Sequence, residues 1–203
     1  MTRFLAVLIT ALLPTLAAAQ EAPEAMVKRV TDELLTIIRN DKAIQSGDTT
    51  KVAQLAEEKV LPHFDFERMT RLAVGKNWRD ASDAQKKALQ DEFRTLLVRT
   101  YSSSLAAYRN QTIEVKPGTA GVADKEAVVK TAVIQQGGPS IPINYSMEKT
   151  DSGWKVYDVV IDGASLVTTY RGSFNDQIQK GGIDGLVKTL QERNRSSAEP
   201  AKK

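Results

Sequence analysis

The hydrophobic period of this chain changes twice, and those changes constrain its fold more than any other feature. From Val27 to Tyr108 apolar residues recur every three or four positions, from Thr112 to Asp162 they alternate, and from Leu166 onward the helical spacing returns. A strand block flanked by helix blocks describes an α+β domain, because α/β folds interleave the two periods along the chain.

Val27, Val30, Leu34, Ile37 and Ile38 share one stripe, which predicts a first helix ending near Ser46-Gly47. Asp48 can cap a second, with Val52, Leu55, Ala56 and Val60 as its apolar positions and Pro62 as its stop. A short third helix opens within His63 to Thr70, where Asp65 is the natural cap, and runs to Val74-Gly75. Ser82 and Gln85 spell a capping box. The helix they start keeps Leu89, Phe93, Leu96, Leu97, Tyr101, Leu105 and Tyr108 on one face, with Asn110 at its end. Two helices close the chain, separated by Gly181-Gly182. The first carries Leu166, Val167, Tyr170, Phe174 and Ile178, and the second carries Ile183, Leu186, Val187 and Leu190.

Residues 112–115, 127–135, 141–149 and 154–162 read as four strands. The breaks between them, Lys116-Pro117-Gly118, Gly137-Gly138-Pro139 and Asp151-Ser152-Gly153, are turn chemistry. Turns this short imply a four-stranded antiparallel meander. Ile141, Ile143, Tyr145 and Met147 alternate cleanly, so one face of the sheet is expected to be buried.

Residues 1–19 have the layout of a secretory signal peptide: Arg3, an apolar run from Phe4 to Leu16, then Ala17-Ala18-Ala19 before Gln20. The run is too short for a stable spanning helix, and the expected product is a single exported domain over residues 20–195 with a disordered polar tail at 196–203. Loss of Arg3 takes the formal charge from +3 to +2. The cations are scattered, with no run of five like charges, so the chain carries no nucleic-acid footprint. With no cysteine and His63 as the one histidine, Cys/His zinc sites are excluded and a catalytic pair has a single candidate base.

Reactive motifs each have a simpler structural reading. There is no GxGxxG and no P-loop. Gly163-Ala164-Ser165-Leu166-Val167 opens like a nucleophile elbow but lacks the second glycine, and no histidine follows it. Ser165 is better read as a helix cap. His63 and Asp65 would make a base and its orienter, but Asp65 is needed as a cap. Asp158 and Asp162 fall on the same side of their strand by simple alternation. Asp162-Gly163 reads as a turn. Asp158 requires a partner, and Arg171 is the expected one. Asn194-Arg195-Ser196 matches a glycosylation sequon, of consequence only in a eukaryotic secretory pathway. The apolar sheet face, the helix stripes and five tyrosines must all meet. A solid core and a lined cavity demand the same residues at those positions, so periodicity leaves both open.

Phe64-Asp65-Phe66-Glu67-Arg68-Met69-Thr70 followed by Gly75 and Trp78, and Phe93-Arg94-Thr95-Leu96-Leu97 leading to Thr100-Tyr101, resemble the periplasmic MlaC, or toluene-tolerance, family. So does Trp154-Lys155-Val156-Tyr157-Asp158-Val159 leading to Gly163-Ala164-Ser165-Leu166, Tyr170-Arg171 and Phe174. The resemblance implies a soluble periplasmic carrier of single phospholipids. Its expected partners are an outer-membrane lipoprotein–porin complex and an inner-membrane ABC transporter with a periplasmic ring subunit. It implies a twisted antiparallel sheet of the NTF2-like or cystatin-like kind, wrapped by about six helices around an apolar cavity. Acyl chains would lie inside and the headgroup outside. The ligand would be phospholipid, with no cofactor, no metal and no catalytic residue, and a shuttle works best as a monomer. Physical chemistry agrees with a carrier of this kind. At about 0.8 kcal/mol per methylene, a lipid with about 30 of them cannot cross water unshielded.

Periodicity and placement, rather than any family motif, nominate the pocket. The inner sheet positions are Ile143, Tyr145 and Met147. Leu97, Tyr101, Leu166, Val167 and Tyr170 face them from the helices, with Met69 and Leu72 nearer the mouth. Two other classes are weighed against this one. A small enzyme would use Asp65, Asp158 or His63 for acid–base work, and a chaperone would expose apolar patches instead of enclosing them.

Overall fold

A computed structural model describes residues 21–118, 124–135 and 137–196. The signal segment lies outside these residues, as does the tail beyond Ser196. Helix α1 (Pro23–Asn40) starts with a proline in its first turn, where the missing N–H costs nothing. The predicted continuation to Ser46 is interrupted. The Asp41 carboxylate accepts from the backbone N–H groups of Ala43 and Ile44 and caps a separate one-turn helix, α2 (Lys42–Gln45). Capping won over stripe continuity here because Asp gains more at a helix start than inside one. Helix α3 (Thr49–Lys59) is capped by Asp48, α4 (Phe66–Val74) by Asp65, and α5 (Asp83–Ala106) by the Ser82–Gln85 box, all as expected. Helix α5 stops at Ala106, a turn short of Asn110.

The sheet runs β1 (Thr112–Val115), β2 (Glu126–Ile134), β3 (Ile141–Thr150), β4 (Gly153–Ile161) and β5 (Ala164–Ser165), paired in that order and antiparallel throughout. Four strands were expected and five are present among the described residues. The reason is local: Asp162 and Gly163 both take positive φ, 49° and 82°. That is the geometry of a two-residue hairpin loop whose twist matches the strands it joins. It returns the chain onto β4 for two residues before the last helix begins.

Helix α6 (Leu166–Ser196) is two helical arms joined at Gly182, whose φ of 66° and ψ of −170° break the helical path. The glycine break therefore falls where the sequence placed it. The second arm lays Leu186 and Leu190 back against α5, where Phe93 and Phe174 meet edge-on with centroids 5.1 Å apart.

The apolar interior divides into three clusters. One lies among α4, α5 and α6; a second joins the sheet to Met26 and Val27 of α1; a third joins α1, α2, α3 and the end of α5. Arg68 ties α4 to the sheet. Its guanidinium pairs with Glu126 at 2.6 Å and with Glu148, and lies 3.6 Å from the centre of the Tyr157 ring.

Candidate functional site

The ten nominated residues fall in two apolar clusters. Met69, Leu72, Leu97, Tyr101, Val167 and Tyr170 belong to the helical cluster, while Ile143, Tyr145 and Met147 belong to the sheet cluster. Leu166 packs against both, as does Phe64. The two clusters thus touch through a few bridging side chains instead of merging into one core.

Burial separates these residues further. Met69 and Met147 have no accessible surface, so they hold neighbours apart or together but line nothing. Leu97 and Val167 are nearly closed. Leu72, Tyr101, Ile143, Tyr145, Leu166 and Tyr170 are half-buried. Tyr145 is the informative one: it keeps accessible surface, and yet burial pushes its phenol up from the ordinary tyrosine value, opposed only by a hydrogen bond with Thr131. Tyr145 thus holds a partly open position in the sheet cluster, beside Ile143 and Ile161. Burial raises the Tyr101 phenol as well, and the neighbouring Tyr170 adds to the effect, which places those two hydroxyls near each other on the helical side.

Register identifies lining residues that sequence periodicity missed. Ile143 pairs with Ile161 and Tyr145 with Val159, so β4 faces inward at those positions. Alternation from Trp154 and Val156 would instead turn Asp158 and Val160 inward. An irregularity opposite Ser146 and Met147 leaves Tyr157 as an extra residue and reverses the phase of β4 beyond it. The bulge has no sequence mark, because it appears only when the strand is set against its partner.

That phase change also gives Asp158 a role other than the expected one. Arg171 is not its partner; the Arg171 Nε donates to the Leu72 carbonyl oxygen at 2.8 Å. The Asp158 carboxylate accepts from the Ser165 hydroxyl at 2.6 Å and from the Val167 backbone N–H at 3.1 Å. Ser165 Oγ in turn accepts from the Thr168 N–H at 3.0 Å, as a cap should. A carboxylate satisfying the first turn of a helix is favoured by hydrogen bonding and by the helix dipole together. Asn194 of the sequon is buried, with its amide donating to the backbone and side chain of Glu92, so it is not presented for modification.

His63 sits apart from all of this, in a surface groove of about 710 Å³ with Glu21, Arg29, Trp154 and Lys155. Burial lowers its pKa, with Arg29 and Lys155 adding to the effect. Among the described residues no group of three or more His, Asp or Glu side chains is placed to hold a metal ion, and no helix is long and apolar enough to cross a membrane.

Comparison with known proteins yields consistent similarities. The family described as MlaC protein matches residues 28–192. The chain is 29% identical to the toluene tolerance protein ttg2D of Pseudomonas putida, over 93% of this chain and 86% of that one. It is 24% identical to the intermembrane phospholipid transport system binding protein MlaC of Haemophilus influenzae, over 91% of this chain and 88% of that one. Among solved structures, a phospholipid-binding protein from Ralstonia solanacearum, captured in complex with a phospholipid, superposes with a TM-score of 0.83 at 40% identity. The match covers 88% of this chain and all of that one.

Proposed function

The chain belongs to the MlaC family, and on that premise we propose that it is a phospholipid carrier without catalytic turnover. It binds one phospholipid at a time, encloses the acyl chains between sheet and helices, and shuttles the lipid across the periplasm. Its partners in that exchange are an outer-membrane lipoprotein–porin complex and an inner-membrane ABC transporter with a periplasmic ring subunit. The pathway maintains outer-membrane lipid asymmetry, and the carrier acts as a monomer.

The observation that carries this reading is the likeness, over 88% of this chain at 40% identity, to a protein held with a phospholipid. Partly open apolar positions agree with it: Ile143, Tyr145, Ile161 and Leu166 in the sheet cluster, and Tyr101 and Tyr170 in the helical one. Uncovered apolar surface inside a fold is unfavourable unless something occupies it, at about 25 cal/mol per Å². Acyl chains are suitable occupants, since they ask for neither hydrogen bonds nor charge. The likeness to a structure holding a phospholipid supports the same occupant.

The test is mass spectrometry of protein purified without delipidation, both intact and after organic extraction. Stoichiometric phospholipid of mixed headgroups is expected. An empty protein that gains no lipid from donor vesicles would sink the carrier reading. Tyr145→Arg tests the pocket: it should fold and carry little lipid, and normal lipid content in that variant would remove the sheet face from the site.

A further inference from the structure

Where α4, the turn after it and α6 meet lies a cleft of about 430 Å³ lined by Arg71, Leu72, Gly75, Lys76, Trp78, Arg79 and Arg171. No acidic side chain lines it. Among the described residues, none of its four cations has an ion-pair partner. The C-terminal dipole of α4 accounts for a cation or two at this end of the helix. It does not account for Arg171, which comes from α6 and is held in place by donating its Nε to the Leu72 carbonyl oxygen. Nor does it account for Arg79, which the chain brings round by turning at Gly75 with φ 65° and ψ −136°, a backbone region only glycine enters freely.

Convergent cations over low-dielectric walls focus a positive field, and planar guanidinium forks match the oxygens of a phosphoryl group. The cleft is amphipathic as well. Leu72 and Trp78 form its apolar part and pack against the helical core, and Arg171 follows Tyr170, whose ring meets Phe93 at 5.0 Å. A ligand with an anionic phosphoryl group and an adjoining apolar arm fits both surfaces.

We infer that this cleft is a binding site for a phosphoryl anion, supplied by the headgroup of a phospholipid or, by the same chemistry, by free phosphate. As a headgroup site it rests on the carrier reading and sharpens it. The phosphate is the group that all phospholipids share, so holding it there positions the lipid without selecting among headgroups.

The experiment follows the Trp78 indole N–H by NMR in the purified, delipidated chain, titrated separately with inorganic phosphate and with monomeric dihexanoyl phosphatidic acid. Both should shift the signal with half-saturation at about 1 mM or below. Lys76→Gln combined with Arg79→Gln should weaken both by at least about tenfold. These side chains are exposed and unpaired, and circular dichroism checks the fold; Arg71→Gln with Arg79→Gln serves if the first pair does not fold. Tighter binding of the short-chain lipid supports the headgroup as the source, whereas equal affinity overturns the headgroup assignment. No shift at about 10 mM of either ligand, or a shift unchanged in the double variant, overturns the site altogether. Lipid uptake from donor vesicles is measured in parallel on the same delipidated chain. Stoichiometric uptake with a Trp78 that stays silent in both titrations refutes the cleft alone, and a responsive Trp78 in a chain that never takes up lipid refutes the carrier reading alone.

Discussion

The junction of α5 with α6 and the stretch of β3 and β4 at Ile143, Tyr145 and Ile161 are built from the same kinds of residue and end in different states. Between α5 and α6, Phe93, Phe174, Leu186 and Leu190 retain at most 1% of their surface. On the sheet, Ile143, Tyr145 and Ile161 stay half-open. The aromatic trio of Phe93, Tyr170 and Phe174, with centroids 5.0 to 5.6 Å apart, closes the helical side on itself. Elsewhere the sheet is closed too, with Val129 and Met147 fully buried, so apolar composition does not distinguish open positions from closed ones.

The sharpest way to break this contrast is Phe174→Ala. A fully packed ring should cost about 3–5 kcal/mol of unfolding free energy in a denaturant titration. A loss under about 1 kcal/mol would mean the helical side is not the closed one. Asp158→Ala tests the joint between the two regions, since it strips an acceptor from Ser165 and from the Val167 N–H. About 1–2 kcal/mol should go, with the first arm of α6 exchanging its amide protons faster than the second. Uniform exchange along α6 would show that the carboxylate does not organise the helix start.

Ile161→Ala should cost about 1 kcal/mol, below the range for a fully packed isoleucine, because it enlarges a space already present. Lipid content should change more than stability does. A core-sized loss would place Ile161 in packing and narrow the site. The smallest effect concerns His63, in the groove beside Trp154. Its pKa is depressed by burial first and by Arg29 and Lys155 next. The unfolded chain therefore binds more protons than the folded one just below the free-histidine value of about 6.5, and stability falls as pH drops through that window. Comparing melting curves at pH 7.5 and 5.5, His63→Gln should reduce the drop by at most about 2 °C, since the ring is partly solvated. An identical drop in both proteins would remove His63 as a contributor.

Local signals were reliable guides where the chemistry was local. Asp48, Asp65, Ser82 with Gln85, and Ser165 each cap the helix that their position implies. Strands β1 to β4 begin and end within a residue of their expected bounds. Failures came where two local preferences competed or where a partner decided. Asp41 ended a helix whose apolar stripe ran on, and a two-residue hairpin loop added β5. Of the residues nominated for the site, burial was not legible in the sequence: Tyr101, Ile143, Tyr145, Leu166 and Tyr170 are half-buried, but Met69 and Met147 share their periodicity and are fully enclosed. Val159 and Ile161 could not be found by alternation, because the bulge reverses their phase.

By itself the sequence determined the order of elements, the helix starts, the turns and the apolar faces, since each depends on residues a few positions apart. Tertiary structure alone decided which apolar faces would close and which would stay apart. It also brought cations from α4, the turn after it and α6 into one cleft, and turned Asp158 from a supposed ion-pair partner into a helix cap. The physical reason is that hydrophobicity drives residues out of bulk water without specifying what they must touch. Whether they meet side chains or an internal space depends on twist, register and the reach of bridging residues such as Phe64 and Leu166, which exist only once distant segments are brought together.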